Sequence, residues 1–321
     1  MKTVLPVRAL LVLQLFLVAP LAFGDSDKSL RIVSWNISGD SFVTRPNDFL
    51  AVLKFMQPQV LLLDEVSPSA GEAALLQVLI AVDPSDNRPW NIEFGLSGGR
   101  QRNVIASRLH VESVEEFSQV VPYPQPARQR IENRMDPGDN QASRYGMEGG
   151  IPVHGAIVHD GDRRLLVVSM DLQCCGGADD DWQEYRRRIE AREIRTLTDR
   201  ALARTRADGL VLAGDFNAVG TPVPRLLLSG HYRIRNSHLR AVRIFHIDGV
   251  SDWTWDGRGT PFPSSDLDGQ YYSRHSLHVT ASYIFDSEDM DAQTLAEFGL
   301  QLITSSLLSN HRPLVVDYAW K

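Results

Sequence analysis

The chain has 321 residues and a formal net charge of −7, from 33 Lys and Arg against 40 Asp and Glu. Acidity without a long Lys/Arg run argues against non-specific grip on a nucleic-acid backbone, which works by neutralising phosphates, although a metal can supply positive charge locally. No His-Glu-x-x-His, Gly-x-Ser-x-Gly or P-loop occurs, so zinc-peptidase, serine-hydrolase and NTPase readings have no motif support.

Residues 1–24 carry Lys2 and Arg8, then an apolar stretch from Ala9 to Phe23 broken only by Gln14 and Pro20, with small residues at Ala22 and Gly24. The pattern predicts a secretory signal peptide cleaved after Gly24, and a secreted or periplasmic protein formed by residues 25–321 as a single domain. A membrane anchor fits less well, because the apolar run is short and contains proline.

Residues 29–38 read as a strand with Ile32, Ser34 and Asn36 on one face and Val33 and Trp35 on the other. A helix over residues 49–56 is stopped by Pro58. The apolar run 60–63 then delivers Asp64 and Glu65 to a loop, and Ala73, Leu76, Leu79 and Ile80 place a helix over 72–81. Strands are expected over 104–107 and 111–117. Residues 122–150 are rich in Pro, Arg, Asn, Gln and Gly and predict a long surface loop, with Arg128, Arg130, Arg134 and Arg144 open to an anionic substrate or to solvent. Residues 153–159 and 165–170 read as a hairpin that delivers Asp171, and 179–203 as a helix with Trp182, Tyr185, Ile189, Ile194 and Leu197 on its apolar face.

The only cysteines are adjacent, Cys174 and Cys175. Neighbouring Cα atoms lie ~3.8 Å apart, below the usual disulfide span, so a bond between them would be strained; two free thiols, that vicinal bond and an intermolecular bond all stay open.

Residues 210–213 form an apolar run of buried-strand length, and Gly214, Gly220 and Pro222 punctuate its end. In an extended chain Asp215 and Asn217 share one face while Phe216 turns to the core. A lone Gly-Asp-x-Asn is as well explained by an Asx turn. Its company decides: strand-like runs end in Asn36, Glu65, Asp171, Asp215 with Asn217, and Asn310-His311, which argues for one site at one rim of a layered α/β fold. The clearest late strands are 277–284 and 313–318.

Trp35-Asn36, Asp64-Glu65 after an apolar strand, Gly214-Asp215-Phe216-Asn217-Ala218 and Ser309-Asn310-His311-Arg312-Pro313 resemble, in order, the motifs of the endonuclease/exonuclease/phosphatase (DNase I-like) superfamily. That group includes nucleases, neutral sphingomyelinases and inositol-polyphosphate phosphatases. The resemblance implies a four-layer α-β-β-α sandwich of two packed mixed sheets, and a Mg²⁺-dependent phosphodiesterase, with Mn²⁺ as a substitute ion. It implies Glu65, Asn36 and Asn310 at the metal. Asp215 would handle the attacking water, Asn217 the phosphoryl oxygens, and His311, oriented by Asp268, the scissile phosphate. Ser282 is the rival to Asp268 in a second alignment. Asn310 stands where the family usually has Asp, and Asp171 where many members carry His or Tyr; Asp171 is retained as a catalytic group. Ser38 stands where some abasic-site nucleases have a second acid. These departures leave open a catalytically weakened module that binds a phospholigand. The implied substrate is a nucleic acid, a phospholipid headgroup or a sugar phosphate.

Overall fold

The computed structural model describes residues 29–135, 146–230 and 239–321; the segment read as a signal peptide and Arg144 lie outside them. Its strands are β1 (Leu30–Asn36), β2 (Val60–Val66), β3 (Asn91–Phe94), β4 (Arg102–Ser107), β5 (Val111–Ser113) and β6 (Val153–Asp160). They continue as β7 (Arg163–Asp171), β8 (Gly209–Asp215), β9 (Arg240–Ala241), β10 (Asp268–Tyr272), β11 (Leu277–Ile284) and β12 (Leu314–Trp320). The helices that frame them are α1 (Ser41–Thr44), α2 (Pro46–Met56), α3 (Glu72–Val82), α4 (Gln125–Glu132) and α5 (Trp182–Thr205), followed by α6 (Val223–Ser229), α7 (Ala292–Phe298) and α8 (Thr304–Leu308).

Two mixed sheets of six strands form, in the orders β11-β12-β1-β2-β4-β3 and β5-β6-β7-β8-β10-β9. Each has one parallel pair at its centre, β1 with β2 and β7 with β8. Parallel neighbours need a crossover, here α1–α2 in the first sheet and α5 in the second, and the crossover brings both strand ends to the same rim. Thus Asn36 lies beside Asp64, and Asp171 beside Asp215.

Alternation of side chains sorts the core into layers. Ile32, Leu62 and Ile105 meet Val167, Val211 and Ala213 between the sheets. Val33, Trp35, Leu61 and Leu63 face the helices on one outside, and Leu166, Val168, Leu210 and Leu212 face Ile189 and Ile194 of α5 on the other. The result is the α-β-β-α sandwich. At roughly 1.5–3 kcal/mol for each large apolar side chain buried, these layers hold the two rims in register.

Three expectations change. Within residues 122–150 a helix forms, α4, because Ala127 and Ile131 are buried beneath it; two apolar positions are too few to show a period in the sequence. Its arginines are engaged locally: Arg128 pairs with Glu132, Arg130 Nε donates to the Tyr185 hydroxyl, and Arg134 lies over the Tyr185 ring. The strand expected over 111–117 stops at Ser113, and Glu115–Phe117 is a 3₁₀ turn that buries Phe117. Asn310 and His311 precede β12 instead of ending a strand; β12 runs antiparallel to β1, so its start lies at the same rim as Asn36. No helix of the described residues is long and apolar enough to cross a membrane.

Candidate active site

Asn36 ends β1 fully buried. Its Nδ2 donates to Glu65 Oε1 at 3.1 Å and to Asp215 Oδ2 at 3.1 Å, while its Oδ1 accepts from the Ser38 amide at 2.9 Å. One carboxamide therefore ties the two sheets together across the rim. Glu65 reaches it because β2 bulges between Leu63 and Val66 and Glu65 adopts φ 58, the left-handed region that a residue with Cβ enters at a cost. The bulge also separates the two acids of the Asp64-Glu65 pair. Asp64 turns between the sheets, where Asn103 Nδ2 and Ser169 Oγ each donate to its Oδ1 at 2.6 Å, and burial pushes its carboxyl well above the usual carboxylate range.

At the end of β8 the backbone leaves the extended form. Asn217 has φ 45 and its amide donates to Asp215 Oδ1 at 2.8 Å, so the Asx turn is present within the motif. Asp215 and Asn217 are consequently not side by side as an extended chain would put them. Asn217 Nδ2 reaches back to Leu172 O at 2.9 Å and Asp171 Oδ1 at 3.4 Å, joining the ends of β7 and β8. Phe216 packs in the outer core, stacked on Tyr271 with ring centroids 5.0 Å apart. Gly214 has φ 134, and a Cβ built there would lie 1.9 Å from Met170 O. We expect Gly214→Ala to cost roughly 1–3 kcal/mol, the usual penalty for forcing atoms into filled space, read as a lower urea midpoint at unchanged slope. An unchanged midpoint would show that β7 and β8 tolerate the side chain.

His311 stands opposite. Its Nδ1 lies 2.9 Å from Asp268 Oδ2, which also accepts from Thr254 Oγ1 at 2.7 Å, and its Nε2 lies 3.7 Å from Asp215 Oδ2. Trp35 Nε1 donates to His311 O at 3.1 Å, and Ser309 Oγ accepts from the His311 amide at 3.0 Å. The rival Ser282 sits on β11 with its hydroxyl on Arg243 O. Contacts thus join Asn36, Glu65, Asp171, Asp215, Asn217, Asp268 and His311. Asn310 is apart: it is exposed, and its carbonyl accepts from the Asp256 amide at 2.7 Å. Thr254, Asn103 and Ser169 are given no role by the sequence, and Asp64 enters there only as half of the Asp64-Glu65 motif, because their roles depend on partners on other strands; an acid after the four apolar residues 60–63 is the one local sign.

The electrostatics follow from burying acids together. Burial raises Asp215, Asp268 adds to it, and the carboxyl is pushed up to about 7. Asp171 is pushed well above the usual range by burial and then by Glu65 and Asp215. Burial opposes charge on His311, but Asp268 and Asp215 outweigh it and push the imidazole up to about 9. His311 is therefore a cation set among several carboxyl groups, a surplus of negative charge that a divalent ion would relieve. Asp215, Asp268 and His311 bring one ligand atom each to within 4.8 Å of one another. His311, protonated and committed through Nδ1 to Asp268, has no free lone pair to offer there. The hard oxygens of Glu65 and Asp215 about Asn36 fit an ion such as Mg²⁺ better.

The chain matches the sequence pattern of the Endonuclease/Exonuclease/phosphatase family over residues 33–306, which spans Asn36 through Asp268 and stops just short of His311. The chain belongs to the endonuclease/exonuclease/phosphatase family. Family members are metal-dependent phosphoester hydrolases, and the buried acidic cluster is of the kind that chemistry uses. Similar solved structures include an endonuclease/exonuclease/phosphatase from Beutenbergia cavernae, at 18% identity and TM-score 0.56, covering 91% of this chain and 72% of that one. A family protein from Bacteroides vulgatus gives 14% identity and TM-score 0.55, covering 91% and 99%. The human Nocturnin catalytic domain, solved with a bound sulfate, gives 15% and 0.51, covering 92% and 94%. At these identities the likeness shows the fold alone. No curated protein matches the chain in sequence.

Proposed function

We propose that the protein is an exported, Mg²⁺-dependent phosphodiesterase. The observation that carries the reading is the unbroken set of contacts from Glu65 through Asn36 and Asp215 to the His311–Asp268 pair. Glu65 and Asp215, braced by Asn36, would hold the ion, which when bound polarises a phosphoryl oxygen and offsets its charge. His311, kept protonated by Asp268, would place positive charge on the scissile phosphate. Asp215, once deprotonated, would orient the attacking water and take its proton. Asp171, whose carboxyl is held well above the usual range by burial and then by Glu65 and Asp215, would in its protonated form offer the leaving oxygen the hydrogen that a His or Tyr at that strand end would supply. Asn217, fixed on Leu172 O, would donate to the phosphoryl group. Export rests on the charge and apolar pattern of residues 1–24.

The test is hydrolysis of bis-p-nitrophenyl phosphate, with plasmid DNA and sphingomyelin beside it. Hydrolysis should vanish with chelator and return with Mg²⁺ or Mn²⁺. Turnover that ignores chelator removes the metal from the mechanism. Phosphate binding without turnover on any of the three substrates favours the weakened binding module.

A further inference from the structure

The chain after Asp171 carries a second chemistry that the phosphoesterase reading does not use. Cys174 and Cys175 are both exposed, and their Sγ atoms lie 2.9 Å apart with a thiol hydrogen between them. The conformation is imposed by the chain around them. Cys175 has φ 67 and Gly176 φ 66, two successive residues in the left-handed region. Arg187, buried on α5, donates to the carbonyls of Gln173 at 2.7 Å, Cys175 at 2.6 Å and Gly176 at 3.0 Å, while its Nη2 pairs with Glu184 at 3.0 Å. The Gln173 amide donates to Glu190 Oε2 at 2.7 Å. A buried guanidinium thus grips three backbone carbonyls within residues 173–176 and presents two thiols to solvent, already in contact.

We propose that Cys174 and Cys175 are a redox-active dithiol that a low-molecular-weight disulfide converts to a vicinal disulfide, and that ring closure is felt at Asn217 through Leu172. A disulfide needs its sulfurs at about 2.04 Å, so closure asks for a further approach of under about 1 Å. The two sulfurs differ in the way the reaction requires. Their contact, with the Arg187 charge nearby, lowers the Cys175 thiol to about 6, whereas the same contact raises Cys174. An accessible low-pKa thiol beside a resolving partner is the usual arrangement of a redox sensor. The Cys175 thiolate attacks one sulfur of the small disulfide, forming a mixed disulfide and releasing a thiolate, which takes the Cys174 proton. Cys174 then attacks Cys175 Sγ and expels the second small thiolate, which is protonated by the hydrogen Cys175 gave up to solvent. The dithiol loses two electrons, and the small disulfide gains them as two thiols. Strain in a ring between adjacent residues makes the bond readily reduced again, as a reversible device requires.

Closure pulls on Gln173 and hence on Leu172, whose carbonyl holds Asn217 Nδ2 at 2.9 Å. This inference stands whether or not the site hydrolyses phosphoesters, so its test avoids turnover. The purified full chain is treated with oxidised glutathione, denatured, alkylated and weighed. Wild type is expected to take no alkyl group and keep no glutathione. Cys174→Ser, at an exposed position, should stop with one glutathione on Cys175. Wild type that is alkylated at both thiols, or that keeps an adduct, overturns closure. Amide hydrogen exchange then compares the reduced and oxidised proteins. A change in the peptide spanning 215–220 is expected, and identical exchange there overturns the link to Asn217.

Discussion

Replacing His311 by alanine is expected to lower kcat on bis-p-nitrophenyl phosphate by ~10²–10⁴-fold, the range that positioned acid–base and charge assistance commands. The side chain is almost wholly buried, and its two nitrogens face Asp268 and Asp215, so the substitution removes the cation that both carboxyl groups face. The pH profile separates this role from a packing role. Asp215 becomes an acceptor only as pH rises through about 7, and His311 loses its charge as pH rises through about 9. Turnover should therefore climb through the first value and fall through the second; a bound divalent ion, which favours the charged carboxylate, moves the lower limb to more acid pH. In Asp268→Asn the main support of the raised imidazole is gone, and the alkaline limb should move down. Folding is checked by circular dichroism and the thermal midpoint. Full turnover in a folded His311→Ala protein would remove the residue from the mechanism. An alkaline limb that stays in place in Asp268→Asn would assign it to another group.

How far the site could be read from sequence depended on whether its cause was local. Residues 60–63 and 210–213 are unbroken apolar runs because β2 and β8 are buried on both faces, and such runs announce both the strand and the rim at which it ends. The two faces of β1 were equally legible, since Ile32 enters the inter-sheet core and Val33 and Trp35 the helical layer. Legibility ended where the backbone left its regular form. Nothing near Glu65 or Asn217 states that each takes a positive φ, yet those two dihedrals decide which acid enters the site and which residue Asn217 holds. The α4 helix was hidden for another reason: it is a short amphipathic segment that buries Ile131 in the same core cluster as Ile189 and Ile194 of α5, partners far along the chain. Asp268 was placed by a motif and not by physics, because the carboxylate lies 43 residues from the imidazole it meets.

The same dependence on distant partners applies to Arg312, which the last motif contains but to which it assigns no role. Its guanidinium is fully buried: Nε donates to Asp286 Oδ2 at 2.6 Å, Nη2 to Asp256 Oδ2 at 3.0 Å and Nη1 to Ser309 O at 3.0 Å, and the group lies 5.2 Å over the Trp253 ring. It fixes the residue after His311 against three separate segments, and its own amide donates at 2.7 Å to the carbonyl of Thr254, the same threonine whose hydroxyl bonds Asp268. Arg312→Met is expected to destabilise the fold by about 3–5 kcal/mol, the loss seen when one member of a buried ion pair is removed and its partner is left charged. Most of that loss belongs to the stranded Asp286 carboxylate, since Asp256 keeps Arg258 as a partner, and not to the missing attraction. It follows that Arg312→Met combined with Asp256→Asn and Asp286→Asn should be more stable than Arg312→Met alone, a non-additivity that urea unfolding of the single and combined variants measures directly. Losses that simply add would mean the two carboxylates are not held by Arg312. A folded Arg312→Met protein that retains full turnover would show that His311 keeps its place without this anchor.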